Sequence, residues 1–170
     1  MLIKEDLEYL RGLSVFAGLP DIIMHGIGEH ARRLDASGGE VLLREGEPAK
    51  ELLVVLSGCL EVVKRNHDGR EAVIATLGPG AVAGEMSLID IRPRSAEVRS
   101  VGTSSVAVLG HGDIATIYRE DQKSYTLLVL NIAREISLRL RRLDALVAHL
   151  IFKIGDVTHG RYGDSSDDQD

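Results

Sequence analysis

The chain has 170 residues, 44% of them hydrophobic, and a net charge of −6, enough material for one substantial core plus appendages. The acidic balance argues against a general nucleic-acid binder, whose affinity comes from Lys and Arg on phosphates. No run approaches the ~18 apolar residues needed to cross a bilayer, and charges in Met1 to Glu8 stand where a secretory signal would have its apolar stretch, so a soluble cytoplasmic protein is expected.

From Leu2 to His30 the apolar residues recur at mixed helical spacings, broken by Gly12, Gly18 and Pro20, which predicts two short helices and a turn over 1–30. Between residues 31 and 110 the character changes to short runs rich in Val, Ile and Leu, namely Val41 to Leu43, Leu52 to Leu56, Leu60 to Lys64, Ala72 to Leu77, Ala96 to Arg99 and Ser105 to Leu109. Gly38-Gly39, Glu45 to Pro48, Ser57-Gly58, Asp68-Gly69 and Gly78-Pro79-Gly80 punctuate them. Many short strands at even spacing predict a sandwich or barrel, and Asp68-Gly69 is the clearest hairpin signal. Cys59 has no second cysteine to pair with and sits in an apolar run, where it is expected to pack as a small hydrophobe.

After Leu109 the period turns helical, with a brief segment at Asp113 to Tyr118 and a long one from Ser124 to Leu150. In the latter Val129, Ala133, Ile136, Leu140, Leu143, Val147 and Leu150 alternate spacings of four and three, a 3.5-residue repeat. Two readings follow: a dimer seam, parallel or antiparallel, or a face packed on the chain's own barrel. The helices are assigned to 111–154, and the polar, acidic run 155–170 is expected to be disordered.

The most informative segment runs from Gly78 to Val98. A short helix is expected over Glu85 to Asp90, its free N–H groups pointing back toward Gly84, as suits an anion. Gly84 lets a ligand approach the backbone, Arg94 brings a planar fork of donors matched to phosphate oxygens, and Ser95 adds a hydroxyl. Glu85 is repulsive toward a phosphate unless it accepts from a donor such as a ribose hydroxyl. Phosphate and sugar hydroxyl together make a nucleotide. The bland alternative is that Glu85 and Arg94 are an ion pair pinning a turn.

Gly84-Glu85 followed by Pro93-Arg94-Ser95-Ala96 resembles the phosphate-binding cassette of the cyclic-nucleotide-binding domain family, which includes bacterial catabolite-activator-type regulators, cyclic-AMP-dependent kinase regulatory subunits and cyclic-nucleotide-gated channels. Gly39-Glu40-Val41, Glu45-Gly46-Glu47, Ser57-Gly58 and Gly78-Pro79-Gly80 resemble the family's glycine signposts, so that the likeness covers about residues 13 to 145. The resemblance implies an α+β, mainly β fold: a double-stranded β-helix (jelly-roll) barrel with short N-terminal helices, a cassette helix and a long C-terminal helix acting as lid. It implies a cyclic nucleotide ligand, cyclic AMP ahead of cyclic GMP, with no metal. Arg94, Ser95 and the N–H groups of Gly84 and Ala96 would hold the phosphate, Glu85 the ribose, and Val62, Ile74 and Met86 the base. Arg139 on the long helix would stack on the base, or is a solvated partner of Glu135. Ala83 and Ala81 stand where the family usually has a bulky and an acidic residue, which bears on which ligand is taken.

No nucleophile elbow, paired acid and base, or zinc-spaced histidines accompany the cassette, so a regulatory sensor is expected rather than an enzyme. The chain has no room after the long helix for a helix-turn-helix domain, so no direct DNA contact is expected and the output passes to an unknown protein effector, with homodimerisation through the helix as a further partner. The alternatives are an interaction module whose degenerate cassette binds no cyclic mononucleotide, and a sensor of a cyclic dinucleotide.

Overall fold

The structure is a computed structural model that describes residues 1–88 and 92–159, with the side chains of all of these except 87–88 and 154–159. It divides into two compact units, Met1–Ile132 and Ala133–Asp170. The first opens with α1 (Lys4–Arg11), a 3-10 turn (Ser14–Phe16) and α2 (Asp21–His30). Eight strands follow: β1 (Arg32–Ala36), β2 (Val41–Leu43), β3 (Glu51–Ser57), β4 (Leu60–Arg65), β5 (Glu71–Leu77), β6 (Val82–Ala83), β7 (Glu97–Ser100) and β8 (Ser104–Gly110). α3 (His111–Glu120) and α4 (Gln122–His159) complete the chain.

The strands form two antiparallel four-stranded sheets, ordered β1-β8-β3-β6 and β2-β7-β4-β5. Leu53, Val55, Val106 and Val108 from the first sheet meet Leu43, Leu60, Leu77 and Val98 from the second in one buried core. On β3 and β8 the alternate residues Leu52, Val54, Ala107 and Leu109 are also buried; α1 touches β3 and α3 touches β8, so this sheet is covered on both faces and its strands carry the near-continuous apolar runs such burial requires. The jelly-roll expectation is met, and the six apolar runs all become strands.

Two strands were not among the expected runs. β1 (Arg32-Arg33-Leu34-Asp35-Ala36) is held by register with β8 from Arg32 opposite Val108 to Ala36 opposite Ser104. Its Arg33 also donates to Asp6 (2.8 Å), Asp35 (3.1 Å) and Ser105 (3.0 Å), tying α1 to the sheet. β6 is two residues paired to Leu53 and Val54. The β4–β5 hairpin forms as expected, but its last pair is Arg65 with Glu71, which leaves a five-residue loop in place of a tight two-residue turn. The Asn66 side chain organises that loop by accepting from the N–H groups of Asp68 and Arg70, an Asx-type arrangement, with Gly69 at φ +77°.

Gly58, at φ +83° between β3 and β4, shows how tightly one barrel corner is closed. A Cβ there would lie 2.6 Å from both Ser104 Cα and Thr103 O. Ser104 Oγ meanwhile receives the Cys59 N–H and donates to the Cys59 carbonyl, each at 3.1 Å. Cys59 itself is partly buried. Gly58→Ala is expected to cost about 3 kcal/mol, from strain at positive φ plus displaced backbone, and to lower Tm by roughly 10 °C, as thermal melting would read.

α4 extends beyond the expected Ser124-to-Leu150 helix at both ends and continues through Gly155 to His159, into the run expected to be disordered. A single glycine costs a helix only about 1 kcal/mol relative to alanine and does not by itself stop one. Residues 160–170 of that expected tail lie outside the described residues. No helix of the described residues is long and apolar enough to cross a membrane. In the first unit α4 is anchored by buried Leu128, Asn131 and Ile132, with the Asn131 amide donating to the carbonyls of Val15 (3.3 Å) and Ala17 (3.0 Å) in the N-terminal turn.

Candidate functional site

The site is assembled between β6 and β7. β6 ends at Ala83, and Gly84 turns the chain at φ +79°, a left-handed conformation that glycine adopts without cost. A 3-10 turn over Glu85–Leu88 follows. A regular helix was expected here to Asp90; the described part takes the tighter form common in pieces this short, and residues 89–91 lie outside the described residues. The chain returns through Arg92 and Pro93. Proline disfavours helix in the residue before it, and the described segment here is irregular up to Glu97, where β7 begins.

Arg94 is the organising residue. It is only 9% exposed, and its guanidinium donates to the carbonyl oxygens of Gly84 (3.2 Å) and Glu51 (2.5 Å). Its backbone is held on both sides by the turn before β3: Arg94 N–H donates to Glu47 O and Gly46 N–H to Arg94 O, each at 2.9 Å. Burial pulls the guanidinium below its ordinary pKa, while the nearby carboxylates of Glu51 and Glu85 act in the opposite direction. The protein thus spends desolvation energy to keep a cation inside, offset in part by those two carboxylates, while its direct hydrogen bonds go to two neutral oxygens. Glu85 is buried at 5% exposure and has interactions of its own.

The remaining expected residues are placed as follows. Ser95 is exposed, with its Oγ 3.9 Å from Met86 Sδ, and Ala96 is buried as the chain enters β7. Val62 on β4 pairs with Val98 of β7 and packs partly against the inter-sheet core. Ile74 on β5 and Met86 are half exposed, at 51% and 50%. A register shift between Val62 and Val63 breaks the simple alternation along β4. The structure therefore brings Gly84, Glu85, Met86, Arg94, Ser95 and Ala96 into one loop pair, with Val62 and Ile74 on neighbouring strands. Arg139 lies on α4 in the second unit.

Three contributors were not legible in the residue types. The Glu51 carbonyl that receives Arg94 is a main-chain group any residue could supply. The Gly46–Glu47 turn was noticed only as punctuation. Lys64, on β4, donates to the carboxylate of Glu45 and to the carbonyl of Ser95; nothing local to Lys64 announces that reach. The described residues hold no group of three or more His, Cys, Asp or Glu side chains placed to bind a metal ion.

Comparison with known proteins identifies the family of this two-sheet jelly roll with a buried arginine on a glycine-led loop. The family described as the cyclic nucleotide-binding domain matches residues 33–121, and the chain belongs to that family. It is 28% identical over 145 residues to a CRP-like cAMP-activated global transcriptional regulator of Mycobacterium tuberculosis, covering 85% of this chain and 63% of the relative. It is 30% identical over 145 residues to the cyclic AMP receptor protein of Thermus thermophilus, covering 85% of this chain and 65% of the relative. The chain thus spans less than two thirds of the length of either regulator. Among solved structures, a cyclic nucleotide-binding domain from Methylobacillus flagellatus superimposes with a TM-score of 0.74 at 26% identity, covering 86% of this chain and 83% of the other.

Proposed function

We propose that this chain is a regulatory sensor of a cyclic mononucleotide, cyclic AMP ahead of cyclic GMP, and not an enzyme. The observation that carries this reading is Arg94: a buried guanidinium bonded to two neutral carbonyl oxygens. Burial outweighs the attraction of the nearby Glu51 and Glu85 carboxylates, so the buried cation remains costly, and a phosphate is the anion whose geometry its fork of donors matches. In this reading the phosphate takes donors from Arg94, Ser95 and the N–H groups of Gly84 and Ala96. Glu85 accepts from the ribose hydroxyl, and Val62, Ile74 and Met86 wall the base, Ile74 and Met86 still exposing apolar surface that a purine would cover. The named cyclic-AMP regulators among the relatives support cyclic AMP as the first ligand to try.

Titration calorimetry with cyclic AMP, cyclic GMP and a cyclic dinucleotide tests it. Micromolar or tighter binding of a mononucleotide supports the sensor reading. A cooperatively melting protein that binds none of the three turns the reading to an interaction module, and one that binds only the dinucleotide reassigns the ligand.

Ligand binding biases the C-terminal helix through the loop that carries Arg94, which requires different affinities for two helix positions, and in the cytoplasm the helix passes the signal to a separate protein; the net charge of −6 favours a protein effector over DNA. A second observation bears on self-association. In the second unit Leu140, Leu143, Val147 and Leu150, all members of the 3.5-residue repeat, are 42–57% exposed, a seam that a second copy would cover. Leu143→Glu is expected to shift sedimentation from dimer to monomer at tens of micromolar, because a carboxylate at a seam position costs several kcal/mol on burial. Unchanged sedimentation would remove the seam from consideration.

A further inference from the structure

The sheet that carries β4 has several cations on its strands, and most of them tie one strand to the next. Arg65 pairs with Glu71 and approaches Glu97 at 3.6 Å, and Arg99 pairs with Glu61 and Glu71. Lys64 does something else. Its ammonium donates at once to the Glu45 carboxylate and to the carbonyl of Ser95, joining a strand, a turn and the loop that carries Arg94. Glu45 immediately precedes Gly46, whose N–H donates to Arg94 O, while Glu47 O accepts the Arg94 N–H. The two contacts of Lys64 therefore close a ring around the backbone of Arg94 and Ser95.

We infer that Lys64 and Glu45 are positioning residues for the anion site, a clamp that fixes the backbone of Arg94 and Ser95 against the 45–47 turn. What the site holds rests on the cyclic-nucleotide reading above; the clamp itself does not. Lys64 and Glu45 side chains are 47% and 35% exposed, and pairs so exposed contribute little to global stability. Their effect is local: the described residues 92–96 that lead into β7 belong to no strand, and a segment outside the ladder opens more readily than the strands beside it. The Lys64 hydrogen bond also holds the Glu45 carboxyl below its ordinary value. A carboxyl lowered in this way keeps its contact at neutral pH and loses it as pH falls through the folded-state value.

The competing explanation is that Lys64 acts only as a positive charge drawing an anion. Glu45→Gln separates the two, since it leaves the Lys64 charge in place and removes a nearby negative one. Simple attraction predicts equal or tighter ligand binding in that variant, whereas the clamp predicts weaker binding.

The experiment compares the wild type with Lys64→Met, Glu45→Gln and Lys64→Arg. Amide exchange at single residues is followed by NMR in the ligand-free protein, and cyclic AMP affinity by calorimetry. Exchange at Gly46 and Arg94 is expected to rise about threefold or more in Lys64→Met and Glu45→Gln, the scale of a lost surface ion pair. The amides of Leu60 and Val63 should be unchanged, and Lys64→Arg should restore protection. Kd for cyclic AMP is expected to rise roughly three- to tenfold in the same two variants. Wild-type exchange at Gly46 and Arg94 in Glu45→Gln, or binding as tight as wild type in that variant, overturns the clamp. If the wild type binds no cyclic AMP, the function proposed above fails, and the exchange measurements still decide the clamp.

Discussion

Replacing Arg94 by leucine is expected to abolish cyclic-nucleotide binding while the protein stays folded. Removing one partner of a buried, hydrogen-bonded charge pair in a complex costs about 2–5 kcal/mol, so the affinity should fall at least about 100-fold, equivalent to about 2.7 kcal/mol. Opposing terms keep the fold intact. The carbonyls of Gly84 and Glu51 lose their donor, which is unfavourable, but the cost of burying the guanidinium disappears. Arg94→Leu should therefore melt cooperatively within a few degrees of the wild type. Calorimetry beside thermal melting reads both quantities. A folded Arg94→Leu that binds within threefold of the wild type would show that the arginine does not grip the ligand.

Gly84→Ala is expected to weaken binding more than tenfold without touching a charge. A Cβ at residue 84 would stand 2.8 Å from Glu51 O and 3.2 Å from Arg94 Cζ. The first is main chain of a strand, so the backbone at residue 84 must shift, and the Arg94 guanidinium, which the Cβ also overlaps, is displaced. The φ of +79° adds about 1–2 kcal/mol of strain for any residue with a Cβ. The control is Gly69→Ala, whose φ is +77° but whose Cβ would meet nothing within 4 Å. It should show the strain in its melting temperature and leave affinity unchanged. If both glycine variants bind equally well, the close approach at Gly84 has no bearing on the ligand.

Chain order and composition carried a large share of this protein. The Val, Ile and Leu runs that became β2 to β5, β7 and β8 were legible because apolar periodicity and turn residues are local signals. Gly84, Arg94 and Ser95 were legible because residue type itself states the chemistry: absence of a Cβ, a fork of donors, a hydroxyl. The repeat on the long helix was legible for the same reason, as a spacing.

Other features exist only through register between distant segments. β1 is a charged sequence made into a strand by β8 and by Arg33 reaching Asp6 and Ser105. β6 is two residues long because β3 offers it a ladder of two. The helix that Gly155 was expected to bound runs on to His159, since one glycine is a small cost set against many helical residues. The acceptor that holds Arg94 is the backbone of Glu51, identical in every residue, and the Lys64 contact depends on β4 lying beside β7. By itself the sequence determined six of the eight strands, the turn residues between them and the candidates proposed for an anion site, all consequences of side chains and their neighbours in the chain. Only the tertiary structure decided which main-chain oxygens meet Arg94 and which strand braces its loop, because those follow from long-range pairing of groups that carry no sequence signature.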